Sequence, residues 1–171
     1  MPHETHISGY RPVAPACEHR CMTQRHLEDL AIGPEIDLGI FIFSRAEIIA
    51  FAAQFDPQPF HLDEEAARRS YFGGLVASGV HTQAAAIGLL VRGIADVAVV
   101  AGGALHEAKF FIPVRPDTPH RVAARWTETR PSARNPARGV AIITGEARTP
   151  DGDVAMTFGV TYVVARRPNH D

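Results

Sequence analysis

The chain has 171 residues, 46% hydrophobic and 21% charged, a balance that suits one compact domain and argues against a fibrous or disordered protein. A formal charge of -2 supplies no basic field for a phosphate backbone, so no nucleic-acid partner is expected. No charged-then-apolar leader opens the chain and no apolar run approaches the roughly 18 residues needed to cross a bilayer, so the expectation is a cytoplasmic protein with no membrane partner.

Residues 1–25 carry Pro2, Gly9, Pro12 and Pro15 with no sustained apolar period, and read as a flexible tail in which Met22 could serve as an alternative start. Cys17 and Cys21 lie in this stretch. Their spacing is not the paired arrangement of structural zinc, so two reduced thiols and no metal are expected.

From Glu35 to Phe43, Ile36, Leu38, Ile40 and Ile42 alternate with Asp37, Gly39 and Phe41, the period of a strand with a buried face. Ser44 and Glu47 then form a capping box, and Ile48, Phe51, Ala52 and Phe55 share one side of a helix that ends near Phe55. Pro57 disfavours helix at Asp56, so an extended loop braced by Pro57 and Pro59 is expected over Asp56 to His61. A second short helix follows, with Asp63, Glu64 and Glu65 at its start, Arg68 and Arg69 at its end and Gly73 as its C-cap.

Val80 to about Gly93 is apolar around almost the whole circumference, which predicts a buried helix. After Gly102-Gly103 the period becomes two, giving antiparallel strands at 107–112, 121–126, 140–143 and 154–164 with a tight turn at Pro150-Asp151-Gly152-Asp153. The fold class is therefore α+β. A helix apolar on every side cannot lie on an open sheet with its back to water, so either the sheet curls around it or a second subunit covers it.

Asp56 and His61 can converge on one point of a stiff loop, where a carboxylate and a neutral imidazole would orient and activate a water for acid–base work. The plainer alternative is that Asp56 caps a turn and His61 packs on Phe60. Ser78-Gly79 opens the long helix, where unpaired amides and the dipole favour an oxyanion and Gly79 lets an oxygen approach; a simple N-cap at Ser78 accounts for the same residues. His81 lies in the first turn of that helix, either lining a pocket or structural. Arg115, Arg121, Arg134 and Arg138 could each meet a phosphate or be ordinary surface charge.

The run Phe55-Asp56-Pro57-Gln58-Pro59-Phe60-His61-Leu62-Asp63, then Ala66-Ala67 and Phe72-Gly73-Gly74-Leu75-Val76-Ala77-Ser78-Gly79, resembles the hydratase 2 motif of the MaoC-like dehydratases, which include R-specific enoyl-CoA hydratases. Phe111-Ile112-Pro113-Val114-Arg115-Pro116-Asp117-Thr118 is similar to a later strand of that family. The resemblance implies a hotdog fold, a long central helix wrapped by a curved antiparallel sheet, over a domain at 26–166 followed by a tail at 167–171. It implies catalytic roles for Asp56, His61 and Gly79; Ser78, Phe60 and His81 are the candidates for binding the substrate. The implied reaction is reversible addition of water to a trans-2-enoyl thioester of coenzyme A or an acyl carrier protein, giving the 3R-hydroxyacyl thioester, without metal or redox cofactor, in a homodimer or higher even oligomer. A thioesterase on the same fold and a non-catalytic acyl-thioester-binding subunit are the alternatives. The chain departs from the family at Phe55 and Gln58, where Gly and Asn are usual.

Overall fold

The computed structural model describes residues 24–168. The expected N-terminal tail with Cys17 and Cys21 lies outside the described residues, apart from its last two positions, and so does the end of the expected C-terminal tail. The element order is a 3-10 turn (Leu27–Asp29), β1 (Ile36–Phe41), α1 (Arg45–Phe55), α2 (Pro59–Leu62), α3 (Glu64–Arg69), α4 (Gly79–Gly93), β2 (Val99–Leu105), β3 (Lys109–Phe110), β4 (His120–Pro131), β5 (Arg138–Arg148) and β6 (Val154–Ala165). Among the described residues no helix is long and apolar enough to cross a membrane.

One six-stranded antiparallel sheet runs in the order β1-β4-β5-β6-β2, with β3 beside β6. The β4-β5-β6 meander follows from the period-two pattern. Val122, Ala124 and Trp126 on β4, Ile143 and Ala147 on β5, and Met156, Phe158 and Val160 on β6 are buried together with Ala86 and Leu90 of α4. At the entrance to α1 the capping box forms as expected: Glu47 N–H donates to Ser44 Oγ at 3.3 Å, and Ser44 N–H donates to Glu47 Oε2 at 2.8 Å. Ile48 and Ala52 then face the core with no exposure.

Several expectations need correction. The stretch from Asp56 to His61 is not extended throughout, because Pro59 takes the first position of helix α2, where its missing N–H costs nothing, and the chain turns back at His61. Gly73 is not the C-cap of α3. Ser70 holds that place, while Gly73 lies in the following bend with φ 65°. The strand expected at 107–112 shrinks to Lys109–Phe110, since Phe111 and Ile112 both turn their amides to Ala155 O.

Gly102-Gly103, expected to precede the strands, lies inside β2. This edge strand is exposed along its length, so neither face imposes the alternation that marks a half-buried strand. Finally, α4 is not enclosed by the sheet within one chain: Thr82, Ala86 and Leu90 are buried, but Val80 is 57% and Val91 is 52% exposed.

Candidate active site

Asp56 is the last residue held by α1, its amide donating to Ala52 O at 2.9 Å before Pro57 ends the helix. His61 follows one helical turn later and is 5% exposed. The two side chains face each other, with His61 Nε2 at 3.5 Å from Asp56 Oδ2. Each is held from behind. Ser78 Oγ donates to Asp56 Oδ2 at 2.6 Å, Gln58 Nε2 donates to Asp56 Oδ1 at 3.0 Å, and His61 Nδ1 lies 2.7 Å from the carbonyl oxygen of Val76.

A carbonyl can only accept, so the bond to Val76 places the imidazole proton on Nδ1 and leaves a lone pair on Nε2. Nε2 and Oδ2 are then two acceptors facing one another. They cannot bond directly, but a single water seated beside them on the cleft side can donate one hydrogen to each. The carboxyl of Asp56 is held below its ordinary pKa, first by the Ser78 hydroxyl and then by the Gln58 amide, so it is a carboxylate at neutral pH.

The pair opens on a cleft of about 720 Å³ whose lining includes Phe60, Phe72, Phe110, Phe111 and Gly79. Gly79 is the first residue of α4 and its amide has no acceptor among the described residues, whereas the amide of Val80 is capped by Ser78 Oγ at 3.2 Å. A helix amino end, with its positive dipole, therefore lies in the wall of the same cleft as the acid–base pair. Phe60 packs edge-on against His61, ring centres 4.5 Å apart, and forms part of the wall.

Two expected substrate contacts lie outside the cleft lining. Ser78 is wholly buried and grips Asp56 instead of facing the cleft. His81 lies outside the cleft lining: its ring is stacked between Phe43 at 3.8 Å and Phe51 at 4.2 Å, because helical geometry turns a side chain two residues past Gly79 toward α1. Of the four arginines considered for phosphate, Arg115 borders the cleft but is turned onto backbone carbonyls, and Arg121 pairs with Asp37 at 3.1 Å. Sequence reasoning gave no holding role to Gln58, to the Val76 carbonyl or to Phe110. Gln58 lies within the motif and could have been found as an amide two residues from the carboxylate; a backbone carbonyl leaves no trace in residue type.

Three expected outcomes follow from these contacts. Ser78→Ala removes the strongest influence holding Asp56 low, so the carboxyl pKa rises and the acid-side fall of activity moves to higher pH; the helix also loses its N-cap, at about 1 kcal/mol. A pH–rate profile and a urea melt measure the two effects. At Gly79 an added Cβ would lie 3.0 Å from Phe110 Cζ and 3.1 Å from Cε2, so Gly79→Ala should lose at least roughly tenfold in kcat/KM, and adding Phe110→Ala should restore part of it.

His81, with its Nδ1 lacking a partner among the described residues, is pushed by burial from an ordinary 6.5 down to about 4. The unfolded chain therefore takes up this proton first, and stability falls as pH drops from about 6.5 to about 4. His81→Phe should flatten that part of a Tm-against-pH curve.

Comparison with known proteins bears on the family and the fold. The family model described as MaoC like domain matches residues 26–143. A crystal structure of the MaoC-like dehydratase from Rhodospirillum rubrum is similar at 39% identity and a TM-score of 0.77, covering 85% of this chain and 99% of that one. The (R)-hydratase from A. caviae involved in PHA biosynthesis shares the fold, with a TM-score of 0.65 at 24% identity over 79% of this chain and 97% of that one. Among curated proteins, the uncharacterized protein YdeM of Bacillus subtilis (strain 168) is 35% identical over 92 residues, which spans 53% of this chain and 65% of that relative's length. The family match over residues 26–143 and the likeness to the Rhodospirillum rubrum structure thus place the chain in the MaoC-like dehydratase family, and its fold, a curved antiparallel sheet with one long helix, is the hotdog.

Proposed function

We propose that the protein is a hydro-lyase that adds water reversibly to a trans-2-enoyl thioester to give the 3R-hydroxyacyl thioester. The observation that carries this reading is the facing pair of acceptors, Asp56 Oδ2 and His61 Nε2, 3.5 Å apart at the wall of an apolar cleft. A water donating to both presents its oxygen lone pair to C3 of the substrate. As the C3–O bond forms, one water proton passes to the pair and the C2–C3 π electrons move onto the thioester oxygen, where the Gly79 amide stabilises the enolate. The enolate then collapses and C2 takes that proton back from the pair, so that one molecule of water has been added.

The thioester carrier is coenzyme A or an acyl carrier protein, and the working unit is a homodimer. Two apolar surfaces support the second point: β2, exposed along its length at the sheet edge, and the outer side of α4 with Val80 and Val91. The direct test incubates the protein with crotonyl-CoA and follows enoyl absorbance and free thiol together. Loss of the enoyl band without thiol supports hydration. Thiol release would indicate a thioesterase, and unchanged ligand at saturating protein a binding subunit; either result overturns the proposal.

A further inference from the structure

Arg115 stands between Pro113 and Pro116 in a stretch whose backbone those prolines stiffen. Its guanidinium reaches into the irregular segment that joins α3 to α4, donating from Nη2 to the carbonyl of Phe72 and from Nη1 to the carbonyl of Leu75 at 3.4 Å. Gly74 makes room for it, since a Cβ there would sit 3.0 Å from Nη1. The residue before it adds a third tie, Val114 O accepting from the amide of Ala77 at 2.9 Å.

That third tie bears directly on the acid–base pair. The N–H of Ala77 and the C=O of Val76 belong to one planar peptide unit and point in opposite directions. Fixing the N–H on Val114 therefore aims the Val76 carbonyl the other way, onto His61 Nδ1 at 2.7 Å. The guanidinium secures the carbonyls at Phe72 and Leu75 on the approach to this peptide, where no helix or strand supplies donors.

We propose that Arg115 is a positioning residue for His61: by bracing the 72–77 segment it holds the Val76 peptide in the orientation that keeps the imidazole proton on Nδ1 and the lone pair on Nε2. This rests on the acid–base reading of Asp56 and His61. With both Nη atoms occupied by carbonyls, Arg115 acts on chemistry through His61 and not by gripping a substrate phosphate. The planar fork presents a separate nitrogen to each carbonyl, whereas a lysine ammonium keeps the charge but offers its donors from a single nitrogen.

The test compares Arg115→Met and Arg115→Lys with wild type in two measurements. In crotonyl-CoA hydration, kcat should fall by up to about a hundredfold in both variants while KM stays within about twofold. In nitrogen-15 NMR of the histidine side chains, with the His61 signals identified by their loss in His61→Gln, wild type should show the Nδ1–H neutral tautomer and both variants a shift toward the mixed tautomers of a free imidazole. A rise in KM with kcat retained would mean that Arg115 binds substrate, and would overturn the proposal. So would wild-type behaviour of Arg115→Lys, which would make charge and not the fork decisive, or an unchanged His61 tautomer in a folded variant. Should circular dichroism show Arg115→Met unfolded, Arg115→Lys decides alone. Absence of wild-type hydratase activity would sink the proposed reaction, while the tautomer comparison would still decide whether Arg115 sets His61.

Discussion

Asp56→Asn is expected to lower kcat for crotonyl-CoA hydration by roughly a hundred- to ten-thousandfold, the range for a positioned acid–base group, with KM little changed. The substitution keeps shape and volume, and an amide can still pair with Ser78 Oγ or Gln58 Nε2, both of which now hold the carboxylate. It removes the negative charge and the ability to take up a proton. If the side chain presents its NH2 to His61 Nε2, the two acceptors that face one another at 3.5 Å become a donor and an acceptor, which bond directly and exclude the shared water. The loss should therefore appear in the chemical step. Enoyl absorbance under single-turnover conditions measures it, and an Asn variant that turns over as fast as wild type would remove Asp56 from the reaction.

Trp126→Ala should cost about 3–5 kcal/mol of stability, the largest effect expected from a single core truncation. The indole is 1% exposed on β4, opposite Ile143 in the β4-β5 register, with Tyr162 edge-on at 6.4 Å between ring centres. Its strand also carries the outer turn of the chain, since Gly33 N–H donates to Trp126 O at 3.0 Å. Removing the ring opens a void beneath the whole meander. Trp126→Phe has a different balance: it gives up part of the ring but also removes a buried Nε1–H that has no acceptor among the described residues, so it should stay within about 1 kcal/mol of wild type. Urea unfolding followed by circular dichroism separates the two. Equal losses for Ala and Phe would mean that ring volume is not what Trp126 supplies.

Local rules were enough to read much of the chain. The Ser44–Glu47 capping box, the stop at Pro57, the alternation of β6 and the turn at Gly152 each depend on residues close in sequence, and each formed where the pattern placed it. Strands β4 and β5 contain the expected 121–126 and 140–143 but are longer, running His120–Pro131 and Arg138–Arg148. Two of the exceptions share a cause. Strand β2 carries no alternation because neither of its faces is buried within one chain, and α4 reads as buried all round although one chain covers only part of it. In both places apolar residues stay exposed on one chain, and these are the surfaces on which the proposed homodimer rests.

The candidate site divides in the same way. Residue type and spacing determined that a carboxylate, an imidazole and a helix amino end would gather near one loop. Only the tertiary structure decided what each does: Ser78 turned inward to grip Asp56, His81 slipped between Phe43 and Phe51, and the Val76 carbonyl chose the tautomer of His61. Side-chain chemistry is written in the sequence, but the partner of a hydrogen bond is set by where distant backbone passes, and peptide groups look alike in every residue.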